Sequence, residues 1–198
     1  MGRILVMNHV SLDGVMQAPA RPDEDTRGGF DLGGWALSDE AAAQKMGERM
    51  AAGGGLSGWL FGRRTYEDLL GYWTQRTDSP FGAALEGADK YVASTRPEEP
   101  LRWPNSTLLD GDVVEAVARL KGRVDGVLGI MGSGRLIETL LPHDLIDEFL
   151  LLVNPCVLGS GHRLFPEGTP PTRLRCVDAV VTPGGLLLAT YARPDQPD

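Results

Sequence analysis

The chain has 198 residues, 42% of them hydrophobic and 23% charged, with a net charge of −8. That composition excludes global disorder, and the acidic balance excludes a dedicated binder of nucleic acid or of an anionic membrane. The two cysteines, Cys156 and Cys176, form no CxxC pair, and His9, His143 and His162 are scattered. Neither a disulfide framework nor a metal site is expected. The opening MGRILVMNHVSLDG holds too short an apolar stretch for a signal peptide or a membrane span, so a cytoplasmic protein is expected.

Residues 3–10 read as a buried first strand, followed by the SLDG turn and a Gly/Pro/Asp-rich loop to about Trp35. A loop of that length tends to be a functional lid. Ser38 is placed to cap a helix over 39–52, with Asp39 and Glu40 on the positive end of its dipole and Gly53-Gly54-Gly55 as its stop. The strand SGWLF enters Gly62-Arg63-Arg64-Thr65 and the helical run TYEDLLGYW. KYVAS is a short strand ending in Thr95-Arg96-Pro97, and Ser106–Leu109 is another, before a helix over 112–121 opened by Asp110 or Asp112.

VDGVLGIM reads as a central strand running into Gly132-Ser133-Gly134 and the helix RLIETLL, which Pro142 stops. DEFLLLVNPCVLG is strand-like, and residues 170–192 read as a closing hairpin around Pro183-Gly184-Gly185. Alternating strands and helices imply an α/β fold: a mixed, mostly parallel sheet with helices on both faces and an antiparallel C-terminal hairpin. No repeat or linker is visible, so residues 1–198 read as one domain. Trp59 and Phe61 read as core.

Three strand ends feed glycine, hydroxyl and arginine residues into a helix or loop: Gly62-Arg63-Arg64-Thr65, Ser94-Thr95-Arg96 and Gly132-Ser133-Gly134-Arg135. Helix N-termini expose backbone N–H groups and partial positive charge, and arginine forks match phosphate oxygens. One such cluster reads as a turn with solvated arginines; three at successive strand ends point to a nucleotide with several phosphates. Gly132-x-Gly134 is no Rossmann fingerprint, since Ile137 stands where the third glycine would fall. Arg63, Arg64 and Arg96 favour a 2′-phosphate, hence NADPH over NADH.

At these motifs (SLDG, LFGRRTYEDL, KYVAST-R, IMGSGRLIETLL and DEFLLLVNPCVLGSGHRLFP) the chain resembles the dihydrofolate-reductase superfamily, including the RibD C-terminal reductase domain of bacterial riboflavin biosynthesis. The resemblance implies a dihydrofolate reductase-like fold and an NADPH-dependent reductase, in which Arg63 and Thr65 hold the adenosine 2′-phosphate and pyrophosphate, with Arg64 beside them. Ser94, Thr95 and Arg96 would flank the adenosine phosphate, and Gly132, Ser133, Gly134 and Arg135 would cradle the pyrophosphate. The family often has a non-proline cis peptide at the place of Gly132–Ser133. The loop after the first strand would close over the nicotinamide, with Ser11 to Gly14 near its hinge.

Glu40, with Asp39 next to it, falls at the family's substrate-binding acid, where a buried carboxylate anchors a ring and assists protonation; both equally read as helix-start residues. Asp13 is a third candidate catalytic acid or simply a turn former. Riboflavin-pathway reductases typically carry a glutamate where this chain has Met131, and the deaminase half with its zinc ligands is missing. The expected activity is hydride transfer from NADPH to a small pyrimidine- or pterin-like heterocycle, such as 5-amino-6-(5-phosphoribosylamino)uracil. The alternative is a non-catalytic NADP(H)-binding regulator. A homodimer is expected from the resemblance and the apolar C-terminal strands.

Overall fold

The computed structural model describes residues 2–51, 55–76 and 78–194. In chain order the strands are β1 (Arg3–Ser11), β2 (Leu56–Gly62), β3 (Lys90–Ala93), β4 (Ser106–Leu108), β5 (Val127–Met131), β6 (Glu148–Asn154), β7 (Arg175–Val181) and β8 (Leu187–Ala192). The helices are α1 (Glu40–Ala51), α2 (Arg63–Trp73), α3 (Pro80–Gly87), α4 (Val113–Arg123) and α5 (Gly134–Leu140). The chain divides into two compact units, residues 1–4 with 53–145 and residues 5–52 with 146–198, so β1 begins in the first and runs on into the second.

In the first unit, β2 is buried at Gly58, Trp59, Leu60 and Phe61 in succession. A run without alternation fits a parallel strand covered on both sides. It pairs in parallel with β3 and β5, and β3 with β4, giving the order β4-β3-β2-β5. The register sets Gly62 beside Ala93, which brings two of the glycine- and hydroxyl-rich strand ends side by side. Glycine at 129 is required by packing, because a Cβ there would lie 2.9 Å from Leu56 and 3.0 Å from the Trp59 ring.

Helix α2 lays the buried Tyr66 and Leu70 inward, and the Tyr66 hydroxyl donates to Ser106 Oγ at 3.0 Å. Lys90 is fully buried and donates from Nζ to the carbonyls of Leu85 (3.0 Å), Glu86 (2.8 Å) and Ala88 (2.5 Å), closing the C-terminal end of α3. The sequence reading missed α3. Its signal was Ser79-Pro80: the Ser79 hydroxyl accepts from Gly82 N–H at 3.1 Å, and Pro80 occupies the first turn.

In the second unit, β1 and β6 are parallel, with His9 opposite Leu152 and Ser11 opposite Asn154. Strand β8 runs antiparallel to β6 and to β7, giving the order β1-β6-β8-β7. Parallel pairing elsewhere and antiparallel pairing at the C-terminal strands make this the mixed, mostly parallel α/β fold expected. Helix α1 is tied to β6 by Arg49, whose Nη2 donates to both carboxylate oxygens of the buried Glu148 at 2.6 and 2.5 Å.

The long segment after β1 carries its own core of Val15, Ala18 and Phe30, with Trp35 and Leu158 packed on it. Gln17 knits it: Nε2 donates to the carbonyls of Asp25 and Arg27 at 3.0 Å, and Oε1 accepts from His162 N–H at 2.8 Å. Gly161 is fixed by crowding, since a Cβ would fall 2.7 Å from the Phe30 ring. The segment expected to be a lid is thus a packed loop with internal partners.

Two boundaries are corrected. The expected cap Ser38 is exposed, and Asp39 caps α1 instead, through Ala42 N–H to Oδ1 at 2.9 Å. Of Asp110 and Asp112, it is Asp112 that caps α4, accepting from Val114 and Glu115 N–H at 2.9 and 3.1 Å. Gly53 and Gly54 of the expected helix stop lie outside the described residues.

Candidate functional site

The three strand ends singled out in the sequence meet in the first unit. Gly62 N–H, at the end of β2, donates to Ser133 Oγ at 2.9 Å, and Ser133 N–H donates to Thr65 Oγ1 at 3.1 Å. Arg63 Nε donates to Ser94 Oγ at 3.1 Å, and Arg96 N–H reaches the same oxygen at 2.9 Å. The hydroxyls of Thr65, Ser94 and Ser133 therefore fasten the strand ends to one another.

The turn after β5 is built from two consecutive left-handed residues, Gly132 (φ 66°) and Ser133 (φ 57°, ψ 45°). No peptide among the described residues is cis, so the cis bond implied at Gly132–Ser133 is absent, and this left-handed pair makes the reversal instead. A left-handed serine costs about 1 kcal/mol. Here its side chain and its N–H are both engaged, which holds it there. A Cβ on residue 132 would sit 3.0 Å from Thr65 Cγ2, so Thr65 and Gly132 fit each other.

The arginines differ from the expectation. Arg63 is 6% exposed. Besides Ser94 it donates to the carbonyls of Pro100 (3.2 Å), Arg96 (3.1 Å) and Glu99 (2.6 Å), so its fork holds the 94–100 segment against α2. A guanidinium with those partners is a strut. The exposed cations at the three strand ends are Arg64, Arg96 and Arg135, with Thr95 exposed beside them. Arg96 is paired with Glu99 at 2.8 Å and Glu67 at 3.3 Å.

The helix starts separate into two kinds. Side-chain oxygens of Asp39, Ser79 and Asp112 accept first-turn N–H groups of α1, α3 and α4. Helices α2 and α5, which leave β2 and β5 directly, have no side-chain cap; Gly62 and Ser133 stand at their cap positions. Of these five helix starts, the two at the glycine-rich strand ends are thus the ones without a side-chain capping oxygen.

The candidate catalytic carboxylates lie in the second unit, and Asp13 and Asp39 each have a local task. Asp13 accepts from the Ser11 hydroxyl (2.6 Å) and from the N–H groups of Leu158 (3.1 Å) and Gly159 (2.9 Å). The Ser11 hydroxyl first, then those two amides, hold its carboxyl far below the ordinary carboxylate range. A group held so firmly ionised is unsuited to proton donation, and Asp13 clamps the turn after β1 instead. The Thr182 hydroxyl, then the Ala42 amide, keep Asp39 below its usual range too. Glu40, expected as a buried ring anchor, is exposed on the first turn of α1.

The sequence reading passed over a polar pair in the same unit, the buried Asn154 and the half-buried His9. Asn154, 0% exposed at the end of β6, donates from Nδ2 to the Leu152 carbonyl at 2.9 Å and lies 3.3 Å from His9 Nδ1. The signal available was the polar Asn8-His9 step in an otherwise apolar strand. Among the described residues no His, Cys, Asp or Glu cluster could hold a metal ion, and no helix is long and apolar enough to cross a membrane.

Comparison with known proteins agrees with this architecture. The chain is 26% identical to the uncharacterised protein YyaP of Bacillus subtilis over 137 residues, 67% of this chain and 71% of that one. It is similar in structure to dihydrofolate reductase from Enterococcus faecalis complexed with NADP(H) (TM-score 0.61, 17% identity, 98% and 97% of the two chains). It is also similar to a diaminohydroxyphosphoribosylaminopyrimidine deaminase/5-amino-6-(5-phosphoribosylamino)uracil reductase from Thermotoga maritima (TM-score 0.64, 16% identity), of which it covers 56% while 97% of its own length is matched. These likenesses establish a dihydrofolate reductase-like fold. The family of the RibD C-terminal domain matches residues 3–188, nearly the whole chain, and the chain belongs to that family.

Proposed function

We propose that the chain is an NADPH-dependent reductase acting on a small pyrimidine- or pterin-like heterocycle. The observation that carries this reading is the pair of uncapped helix starts at joined strand ends, with Arg64, Arg96 and Arg135 exposed beside them. A dinucleotide with a 2′-phosphate fits that donor set. The amides at the start of α2 and the Gly132–Gly134 turn would take the pyrophosphate, and the exposed arginines and Thr95 the adenosine phosphate. Bound NADPH supplies the hydride. The protein fixes the phosphates with groups already held in place by Thr65, Ser94 and Ser133, so little ordering is required on binding. Family membership, and the reductase activity and NADP(H) complex named for two proteins of like fold, support the reading.

One observation favours a second reading, a binding protein without turnover: Asp13 and Asp39 are engaged structurally and Glu40 is exposed, so none of the three candidate acids is a buried, uncommitted proton donor. Titration of NADPH fluorescence, followed by oxidation assays with dihydrofolate and 5-amino-6-(5-phosphoribosylamino)uracil, separates the two. Turnover on either substrate supports the reductase; tight binding with no oxidation supports the regulator; absence of binding removes both. A cytoplasmic setting suits an NADPH consumer. A homodimer through the edge strand β7, where Val177 and Val181 are exposed (43% and 67%), is part of the proposal. A monomeric mass by light scattering at micromolar concentration would remove it.

A further inference from the structure

Strand β1 is apolar through Ile4–Met7 and turns polar at Asn8-His9, near the carboxyl end of the parallel pair β1 and β6. Ligands of parallel sheets bind outside such ends. Which way the Asn154 amide faces is settled by two partners that cannot exchange roles. Leu37 N–H donates to Oδ1 at 2.8 Å, and the Leu152 carbonyl accepts from Nδ2 at 2.9 Å. The group 3.3 Å from His9 Nδ1 is therefore an N–H donor, and Nδ1 is the acceptor. Burial lowers the His9 pKa to about 4, so the ring is neutral at physiological pH. A neutral imidazole accepting at Nδ1 carries its proton on Nε2. That Nε2–H has no hydrogen-bond partner among the described residues, and the residue keeps part of its surface exposed.

We infer that His9 is a substrate-binding residue whose Nε2–H donates to a carbonyl oxygen or an unprotonated ring nitrogen of the heterocycle, with Asn154 as the positioning residue that fixes its tautomer. The identity of the ligand rests on the reductase reading; the tautomer and the open donor do not. Donation to an acceptor also gives selectivity, because a ligand with no acceptor there leaves the N–H unpaired.

The test uses the full chain labelled with 15N-histidine. Two-bond 1H–15N spectra identify the His9 tautomer, and uracil and dihydrofolate are then titrated with and without NADPH. The expected results are the Nε2–H form in the free protein and a shift of the His9 nitrogens with at least one probe. His9→Leu should weaken that probe about tenfold or more, while His9→Gln, which retains a donor, should stay within about threefold. NADPH affinity should be unchanged in both. An Nδ1–H tautomer, silence of the His9 signals toward both probes, wild-type probe affinity in a folded His9→Leu protein, or a loss in a folded His9→Gln protein as large as that of His9→Leu overturns the inference. Failure of NADPH to bind the wild-type chain strikes the reductase reading instead, and shows as that alone.

Discussion

The starts of α1 and α2 look alike in sequence, each a short polar stretch after an apolar or glycine-rich segment, yet they do opposite things. At α1 the carboxylate of Asp39 turns onto Ala42 N–H and the Thr182 hydroxyl, and the helix end is closed. At α2 the corresponding place is Gly62, whose N–H is directed to Ser133, and no side chain at the cap position accepts from the first-turn amides. A carboxylate at a helix start is drawn to its own amides, and a glycine there leaves them for something else. The difference explains why Asp39 is held structurally, and it is why the phosphate cradle is proposed where side-chain caps are missing.

The comparison breaks most severely at Arg63. Arg63→Met removes four hydrogen bonds at once, to Ser94 Oγ and to the carbonyls of Arg96, Glu99 and Pro100. At roughly 1 kcal/mol for each acceptor, the expected loss is about 4 kcal/mol, read as a lower urea midpoint. Unchanged stability with weakened NADPH binding would instead make Arg63 a direct ligand.

His9 gives the next effect. Its pKa falls from 6.5 to about 4 on folding. Between those values the unfolded chain binds a proton that the native ring refuses, so stability declines as pH drops through that window and is flat above it. The wild type should lose about 3 kcal/mol more than His9→Gln on going from pH 7 to 4. Parallel pH curves for the two proteins would contradict the neutral ring. Asp39→Ala should have the smallest consequence: a melting temperature lower by a few degrees, with NADPH affinity and any turnover unmoved. A collapse of turnover at unchanged stability would restore Asp39 as a catalytic acid.

Much of this was legible in the sequence because it depends on local chemistry. Trp59-Leu60-Phe61 could only be a covered strand, and glycine beside hydroxyl and arginine at strand ends marked the junctions that meet in the first unit. What escaped depends on distant partners. Arg63 became a strut because backbone carbonyls more than thirty residues away accept from it, and carbonyls leave no trace in sequence. Helix α3, small and weakly patterned, was announced only by Ser79-Pro80. His9 gained its meaning from Asn154, 145 positions later.

The most direct measurement is NADPH titration of Gly62→Asp beside Gly62→Ala. Residue 62 has ordinary extended geometry (φ −75°, ψ 149°), and an added Cβ meets Ser133 Oγ at an unstrained 3.7 Å, so both variants should fold. The account predicts that aspartate caps α2, preserves or raises the melting temperature, and weakens NADPH about a hundredfold by placing a carboxylate where the phosphate goes, while alanine stays near wild type. NADPH bound as tightly by a folded Gly62→Asp protein as by the wild type would contradict it.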